Sequence, residues 1–229
     1  MSYLFNVGAD CQINDLSSIY EQYFKTDICG IFVEVGAFDG RSWTNTGFLA
    51  DIGWKGLYIE PITEYADLCK HNHIKNNVIV ENCAVGIVEG ENKFYVGGGL
   101  TTSDELVKNA HEKMFGKNAY NISNVDVKTY RLESILKKHN IPSDFDLLVV
   151  DTEGAEHVVF NSFNLGEYTP KMIIVELCDV HPSFNEYELL QTRANEVRKK
   201  IIANGYKEVY VDCINTIFVY DSKKIKSGN

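Results

Sequence analysis

The stretch IFVEVGAFDGRSWTNTGFLADIGWKGLYIEP, residues 31–61, has the pattern of a strand, a glycine loop, a helix, a turn and a second strand. The first strand is an apolar run broken by Glu34, without clean alternation, which is typical of a parallel strand covered on both faces. Gly36 and Gly40 bound the loop, where a missing Cβ lets backbone approach a ligand and lets N–H groups face it. The second strand delivers Glu60 at its carboxyl end, where an acid can accept both hydroxyls of a ribose. The stretch therefore predicts a site for a nucleotide-type cofactor.

The spacing and charge of the glycine loop distinguish two cofactor classes. A dinucleotide-binding loop has the pattern G-x-G-x-x-G, and the next helix N-terminus binds the pyrophosphate. Here the loop is G-A-F-D-G, and Glu34 and Asp39 place two carboxylates beside it. An acidic loop repels a pyrophosphate but suits S-adenosylmethionine, whose sulfonium and ammonium are cationic and which carries no phosphate. The alternative is an ordinary βαβ unit with glycines at its turns, because a lone glycine pattern is weak evidence.

Several ordered motifs along the chain resemble those of one family. They are Val33-Glu34-Val35-Gly36-Ala37, Thr44-Asn45-Thr46, Gly53-Trp54, Ile59-Glu60-Pro61 and Asp151-Thr152-Glu153-Gly154-Ala155-Glu156. In this order they resemble the motifs of the FkbM family of S-adenosylmethionine-dependent methyltransferases, over about residues 31–176. The resemblance implies an α/β fold of the class I, Rossmann-like methyltransferase type, with a mostly parallel seven-stranded sheet, an antiparallel last strand and helices on both faces. It also implies O-methylation of hydroxyl groups, commonly on sugars or natural products.

The expected cofactor residues come from these motifs and from the end of a third strand, Val78-Ile79-Val80. In this fold the residues just after that strand face the adenine, although an Asn at a strand end is as often a plain turn residue. We expect Glu60 to accept the ribose hydroxyls. The full expected set is Glu34, Gly36, Ala37, Asp39, Gly40, Thr44, Asn45, Glu60, Pro61, Asn82, Cys83, Ala84 and Asp151.

A fourth core strand, residues 146–150, carries Asp151 at its carboxyl end, where ligands bind in open α/β sheets. Methyl transfer to oxygen needs a base within hydrogen-bond reach of the acceptor. The candidate bases are Asp151, Glu153, His157 and His181. Asp151 has the best expected position. Alternatively, its carboxylate accepts the N–H groups of Gly154 or Ala155 and caps the next helix.

A metal ion offers a different mechanism. A fifth strand, residues 172–175, presents Glu176, and this carboxylate with Asp151 and either Asp179 or Glu153 would bind Mg²⁺. The ion would lower the pKa of the acceptor hydroxyl as a Lewis acid. Because the resemblance does not imply a metal and acidic strand ends are common without one, we expect no metal. Asp151, Glu176 and Asp179 form the alternative Mg²⁺ set.

Composition limits the function classes. The chain has 229 residues, which fits one α/β domain, and its formal net charge of −10 argues against a nucleic-acid backbone as partner. The six cysteines form no C-x-x-C pair and no zinc-type cluster, which predicts reduced, mostly buried thiols. The N-terminus lacks a basic start and a long apolar segment, and no later run approaches membrane-spanning length. We therefore expect a soluble, cytoplasmic protein.

Domain organisation follows from where the strand–helix alternation holds. We expect a helical N-terminal extension at 1–30, a methyltransferase domain at 31–222 and a flexible basic tail at 223–229. Apolar residues at helical spacing in 16–24 predict a packing or lid helix. Residues 92–130 interrupt the alternation, and we place substrate recognition there. The glycine run 97–99 within it is either a mobile loop over the site or a plain connector.

We favour methylation of a sugar hydroxyl, free or within a glycan, because the polar loops and the aromatic residues Tyr95, Tyr120 and Tyr130 would suit a sugar face. One alternative is O-methylation of a secondary metabolite. Another is a non-catalytic cofactor-binding module that serves as a scaffold for a neighbouring glycosyltransferase. The sequence leaves the acceptor, the methylated position and the oligomeric state open.

Overall fold

The structure is a computed structural model that describes residues 11–24, 29–120, 122–177 and 179–221. The expected basic tail at 223–229, residues 1–10 of the expected N-terminal extension and Cys178 lie outside the described residues.

The described residues form strands and helices in alternation along most of the chain. The strands are β1 (Ile31–Val35), β2 (Lys55–Ile59), β3 (Val78–Glu81), β4 (Ala84–Val85), β5 (Gly90–Val96), β6 (Ile122–Tyr130), β7 (Leu147–Val150), β8 (Met172–Glu176), β9 (Tyr206–Val211) and β10 (Asn215–Tyr220). The α-helices are α1 (Leu16–Phe24), α2 (Gly47–Asp51), α3 (Thr63–Asn72), α4 (Glu105–Phe115), α5 (Leu132–Lys138), α6 (Glu156–Asn161) and α7 (Glu188–Ala203). A short 3₁₀ helix spans Pro182–Phe184. None of these helices has the length and apolarity to cross a membrane.

The main sheet has seven strands among the described residues, in the order β3-β2-β1-β7-β8-β10-β9. Strands β1, β2, β3, β7 and β8 pair in parallel, whereas β10 pairs antiparallel with both β8 and β9. All four residues of β7 are buried, as expected for a central parallel strand covered on both faces. The strand order and the antiparallel last strand confirm the class I methyltransferase sheet that the resemblance implied.

Helices cover both faces of the main sheet. Helices α1, α2 and α3 pack on the face that carries Phe32 and Ile174. Helices α5, α6 and α7 pack on the face that carries Val33 and Val175. Side chains alternate between the faces along each strand, so neighbouring residues enter different layers. Tyr20 of α1 is fully buried in the first layer, which makes α1 a packing helix.

The region that interrupts the alternation forms a second sheet of three strands within the described residues, in the order β4-β6-β5. Strand β5 is antiparallel to β6, and β4 is parallel to it. This unit, residues 84–130, begins earlier than the predicted residue 92. The reason is that β4 follows Cys83 directly and already pairs with β6. The unit leaves the main sheet at the carboxyl end of β3, beside the crevice.

The predicted thiols are partly confirmed. Cys11, Cys29, Cys69, Cys83 and Cys213 are free. Cys69 and Cys83 are buried, but Cys29 and Cys213 are exposed, so the expectation of mostly buried thiols is wrong. Both exposed cysteines lie outside strands and helices, where no core packing hides them.

Candidate active site

A cavity of about 730 Å³ opens at the carboxyl ends of β1, β2 and β7. Its volume lies in the range typical of small-molecule and cofactor sites, and its place is the crevice where open α/β sheets bind ligands. Most of the expected cofactor residues line it. They are Glu34, Gly36, Ala37, Thr44, Glu60, Pro61, Cys83, Ala84 and Asp151.

The other expected cofactor residues are not among those that line the cavity. They are Asp39, Gly40, Asn45 and Asn82. The Asp39 carboxylate accepts the N–H groups of Arg41 and Ser42 at 2.8 and 2.7 Å, which closes the turn after the glycine loop. Asn82 donates to the main-chain oxygen of Glu60 at 3.0 Å, and Asn45 donates to Gln12 at 3.4 Å. A contact of these four residues with the cofactor stays a prediction.

Gly36 is where the ends of β1 and β7 come closest. Its φ is +87°, and a Cβ there would lie 1.6 Å from the main-chain oxygen of Asp151. An L side chain meets both a backbone clash and a left-handed conformation at this position. Only glycine therefore allows the two strand ends to bound one crevice.

Glu60 is fixed in the cavity wall by main-chain donors. Its Oε2 accepts the N–H of Phe38 and its Oε1 accepts the N–H of Ile62, both at 2.8 Å. The residue is 4% exposed, and burial raises its pKa to about 8 although both hydrogen bonds oppose the rise. Each carboxylate oxygen retains a lone pair for a ligand hydroxyl.

Glu34 is a second buried carboxyl in the wall. The hydroxyl of Thr46 donates to it and also hydrogen-bonds the hydroxyl of Tyr58 at 3.0 Å. Burial, and to a smaller extent the charge of Asp151, raises the pKa of Glu34 to about 8. Thr44 holds this region in a turn by accepting the N–H groups of Thr46 and Gly47, and α2 begins at Gly47.

Three carboxyl groups meet at the ends of β7 and β8: Asp151, Glu153 and Glu176, here called the carboxyl trio. One oxygen of each lies within 4.8 Å of the others. Burial and mutual repulsion raise the pKa of Glu153 and of Glu176 well above the usual range. Asp151 hydrogen-bonds Glu176 and accepts the amide of Gln12 at 3.2 Å. Like charges this close cannot all ionise, so the trio shares protons, and the donors converge on Asp151.

Two predicted residues stay apart from the trio. Both oxygens of Asp179 accept hydrogen bonds from Arg198, at 2.7 and 2.9 Å. His181 uses its Nδ1 to accept the N–H of Ser183 at 3.1 Å, and it does not line the cavity. The alternative metal set is thereby corrected, because Glu153 and not Asp179 lies beside Asp151 and Glu176.

The capping alternative for Asp151 is wrong, because the N–H of Gly154 donates to Glu156 and the N–H of Ala155 donates to the main-chain oxygen of Thr152. Glu156 Oε1 accepts the N–H groups of Thr152 and Gly154 at 3.0 and 3.1 Å. The chain turns sharply between the two acids, with φ of +50° at Glu153 and +93° at Gly154. Asp151 is left facing the cavity.

The second sheet brings an unpredicted histidine to the trio. His111 of α4 places Nε2 3.6 Å from Glu153 Oε2, and its Nδ1 hydrogen-bonds the hydroxyl of Tyr120 at 2.8 Å. Burial lowers the pKa of His111 to about 4, so its imidazole is neutral. Thr102 donates to the main-chain oxygen of Glu153 at 2.8 Å. The only sequence signal for His111 is its helical spacing from the buried Val107, which marks an inward face.

The aromatic wall of the cavity also differs from the expectation. Tyr95, Tyr120 and Tyr130 do not line the cavity. The aromatic residues that do are Phe38, Trp43, Tyr65 and Phe94. Phe38 and Trp43 stack at 6.1 Å with φ of +49° and +54°, conformations that no sequence pattern announces for bulky residues. The glycine run 97–99 lines the cavity, as predicted for a loop over the site.

The chain matches one family model and is similar to several solved structures at low sequence identity. The family model described as the methyltransferase FkbM domain matches residues 34–208. No curated protein matches the chain. An O-methyltransferase from Bacillus cereus in complex with SAH shares 13% identity and a TM-score of 0.49, over 93% of this chain and 84% of that one. The fibrillarin pre-rRNA processing protein of Methanococcus jannaschii shares 14% identity and a TM-score of 0.45, over 83% of this chain. This chain spans 66% of the length of that fibrillarin.

Proposed function

We propose that this chain, which belongs to the FkbM methyltransferase family, binds S-adenosylmethionine in the cavity and methylates a hydroxyl group of a sugar or glycan. The observation that carries the proposal is the buried carboxylate of Glu60, held by two main-chain N–H groups at the end of β2. A carboxylate fixed there suits a pair of ribose hydroxyls. S-adenosylmethionine, when bound, supplies a methyl group on a positively charged sulfur.

The cavity residues fit this cofactor in shape and charge. Glu60 accepts the ribose hydroxyls, the Gly36 loop offers backbone close to the ligand, and Cys83 and Ala84 border the adenine. Glu34 adds a second buried carboxyl. Its pKa is raised because burial with no cation beside it disfavours the ionised form. A cationic ligand relieves that penalty, whereas a pyrophosphate would increase it.

Asp151 is our choice for the base that takes the acceptor proton. It lines the cavity and it accepts hydrogen bonds from Gln12 and Glu176. Positioning of the acceptor hydroxyl is the larger requirement, because a well-oriented reactant lowers the barrier more than the proton transfer does. Glu153, fixed from the second sheet, bounds the acceptor space on the other side.

Cofactor affinity is expected to rise with pH up to about pH 8. The pKa of Glu34 and of Glu60 is about 8 in the free protein, and a cationic ligand favours their ionised forms. Below pH 8 binding must release protons, so affinity changes by about tenfold per pH unit for each proton released. The same shifts make the free protein less stable as pH rises from about 4.5 to about 8, because the folded state then binds more protons than the unfolded state.

Calorimetry from pH 6 to 9, in buffers of different ionisation enthalpy, measures both the affinity and the protons released. S-adenosylhomocysteine is the control, since it lacks the sulfonium charge and should show a shallower dependence. Equal slopes for the two ligands would contradict the charge assignment.

Turnover is expected to persist in EDTA. Asp179, the third ligand of the alternative Mg²⁺ set, is committed to Arg198, and burial and mutual repulsion raise the pKa of Glu153 and of Glu176, which favours their protonated forms. A protonated carboxyl is a poor metal ligand. Activity with labelled cofactor is measured before and after chelation and after adding Mg²⁺. Loss on chelation with recovery on Mg²⁺ would assign the trio to metal binding.

Both aromatic and hydroxyl side chains line the cavity, which supports a sugar as the acceptor. Trp43 and Phe38 offer aromatic faces, which suit the apolar face of a sugar ring, and Thr101 and Ser103 offer hydroxyls. Transfer of label to a panel of sugars and hydroxylated metabolites separates the acceptor classes. Cofactor binding without transfer to any acceptor would favour the non-catalytic module.

A further inference from the structure

The second sheet extends a hairpin tip, residues 97–101, which lines the cavity. A two-way main-chain bridge holds its base: the N–H of Tyr95 donates to Thr102 at 2.8 Å, and the N–H of Thr102 donates back at 3.1 Å. Within the tip, the hydroxyl of Thr101 donates to the main-chain oxygen of Gly98 at 2.7 Å. Because these bonds are local, the tip is a compact turn that can move as one piece against its base.

Three aromatic residues of the cavity wall, Phe38, Trp43 and Tyr65, form what is here called the aromatic rim. The ring centroid of Phe38 lies 6.1 Å from that of Trp43 and 4.6 Å from that of Tyr65, so the rim is continuous. Phe38 also donates its N–H to the Glu60 carboxylate at 2.8 Å. The rim therefore stands beside the residue proposed to bind the ribose, at the cofactor end of the cavity.

The tip meets the rim through adjacent glycines. The N–H of Gly98 donates to the hydroxyl oxygen of Tyr65. A Cβ on Gly99 would lie 3.0 Å from Cζ3 of Trp43, so the main chain packs closely on the indole. Through these contacts the tip and the rim join across the cavity beside Glu60.

Trp43 has properties that packing alone does not explain. It is 57% exposed, whereas Trp54, the other tryptophan of the chain, is fully buried. Its φ of +54° is an unfavourable backbone conformation for a bulky residue. Strained residues of this kind cluster at ligand clamps and moving segments. An exposed ring held in a strained conformation, where a loop docks, indicates a function for that contact.

We propose that Trp43 is a positioning residue for the cofactor: the hairpin tip closes onto its indole after S-adenosylmethionine binds, and the closed tip slows release. This inference rests on the cofactor binding proposed above. Loop closure over a bound ligand retains it, and its effect falls mainly on the dissociation rate. The contact at Cζ3 leaves 57% of Trp43 exposed, so the ring can still face an acceptor.

Two substitutions break this contact from opposite sides. Trp43→Ala removes the indole, and Gly99→Val places a branched side chain against it. Gly99 is not among the glycines with positive φ, so a side chain there causes no backbone strain. Gly90→Val is the matched control, because it makes the same change at the start of β5, where no described atom lies within 4 Å of a new Cβ. Trp43→Phe keeps an aromatic ring for the tip.

Dissociation of S-adenosylhomocysteine is measured by stopped-flow displacement without acceptor, so a lost contact with a sugar does not enter. We expect it to be about tenfold faster in Trp43→Ala and in Gly99→Val than in the wild type, with little change in the association rate. Trp43→Phe should restore most of the slow release, and Gly90→Val should match the wild type. Since both changes remove one contact, the double variant should release the ligand no faster than Trp43→Ala alone.

The fluorescence of Trp43 reports closure directly. Because Trp54 is fully buried, acrylamide in solution quenches mainly Trp43. We expect S-adenosylhomocysteine to reduce this quenching in the wild type and in Gly90→Val. The reduction should be smaller in Gly99→Val, which separates closure of the tip from shielding by the ligand itself.

Release rates equal to the wild type in both single variants, or additive effects in the double variant, would overturn the proposal. Failure of the wild type to bind S-adenosylhomocysteine would overturn the cofactor assignment and the role of Trp43 together, whereas binding with unchanged release rates overturns the role of Trp43 alone. Melting temperatures show whether each variant folds. If one single variant does not fold, the release rate of the other and the quenching of the wild type decide the proposal.

Discussion

Asp151→Asn is expected to lower kcat by about 10²–10⁴-fold, the contribution typical of a general base. The substitution keeps the size of the side chain and removes its charge at the point where Gln12 and Glu176 converge. Cofactor affinity should stay near that of the wild type, because Glu60 and the Gly36 loop are untouched. Steady-state kinetics and calorimetry measure the two quantities separately.

Thermal stability distinguishes a base from a structural role at this position. The N–H groups of Thr152 and Gly154, in the turn before α6, donate to Glu156 and not to Asp151, so Asp151→Asn should leave the melting temperature close to that of the wild type. Asp67→Asn, a surface change on α3, is the control. A melting temperature that falls together with activity would make Asp151 a structural residue. Unchanged kcat would move the base to Glu153.

Glu60→Ala is expected to weaken cofactor binding by about 10²–10⁴-fold. Two charge-assisted hydrogen bonds to ribose hydroxyls, at about 1.5–3 kcal/mol each in a desolvated site, account for a change of that size. The residue is 4% exposed, so solvent screens these bonds little. Calorimetric titration with S-adenosylhomocysteine measures the loss without the complication of turnover.

The main-chain N–H groups of Phe38 and Ile62 also lose their acceptor in Glu60→Ala. Glu60→Gln separates the two effects, since it keeps an oxygen for one N–H and loses the charge. Glu64→Ala, an exposed change in the first turn of α3, controls for charge alone. An affinity equal to the wild type in Glu60→Ala would remove Glu60 from the cofactor site.

The sequence predicted the sheet and the strand-end acids because both follow from local patterns. An apolar run such as β7 has one stable place, the centre of a covered parallel sheet, and the residue after it must emerge at the crevice. Asp151 and Glu60 were placed correctly at the cavity by that reasoning.

Other parts of the site depend on geometry that a pattern does not encode. Asp39 is adjacent to the glycine loop in sequence, yet its carboxylate turns back to close its own turn. Glu156, for which the sequence predicted no role, accepts the N–H groups of Thr152 and Gly154 because the chain reverses at Glu153, through a positive φ that a non-glycine residue rarely adopts. His111 lies 42 residues before Glu153 in the chain, and it reaches the trio only because the second sheet folds against the main sheet.

The second sheet affects how proteins with this fold can evolve to use different acceptors. One uninterrupted segment, residues 84–130, carries β4, β5, β6 and α4, and it supplies one wall of the cavity while the main sheet supplies the other. Recombination or a loop-length change inside that segment remodels a single wall and leaves the ends of β1, β2 and β7 intact. We therefore expect that relatives acquire new acceptors by exchange of this segment, and that a chimaera made at its two boundaries takes the donor's acceptor preference on the recipient's cofactor site.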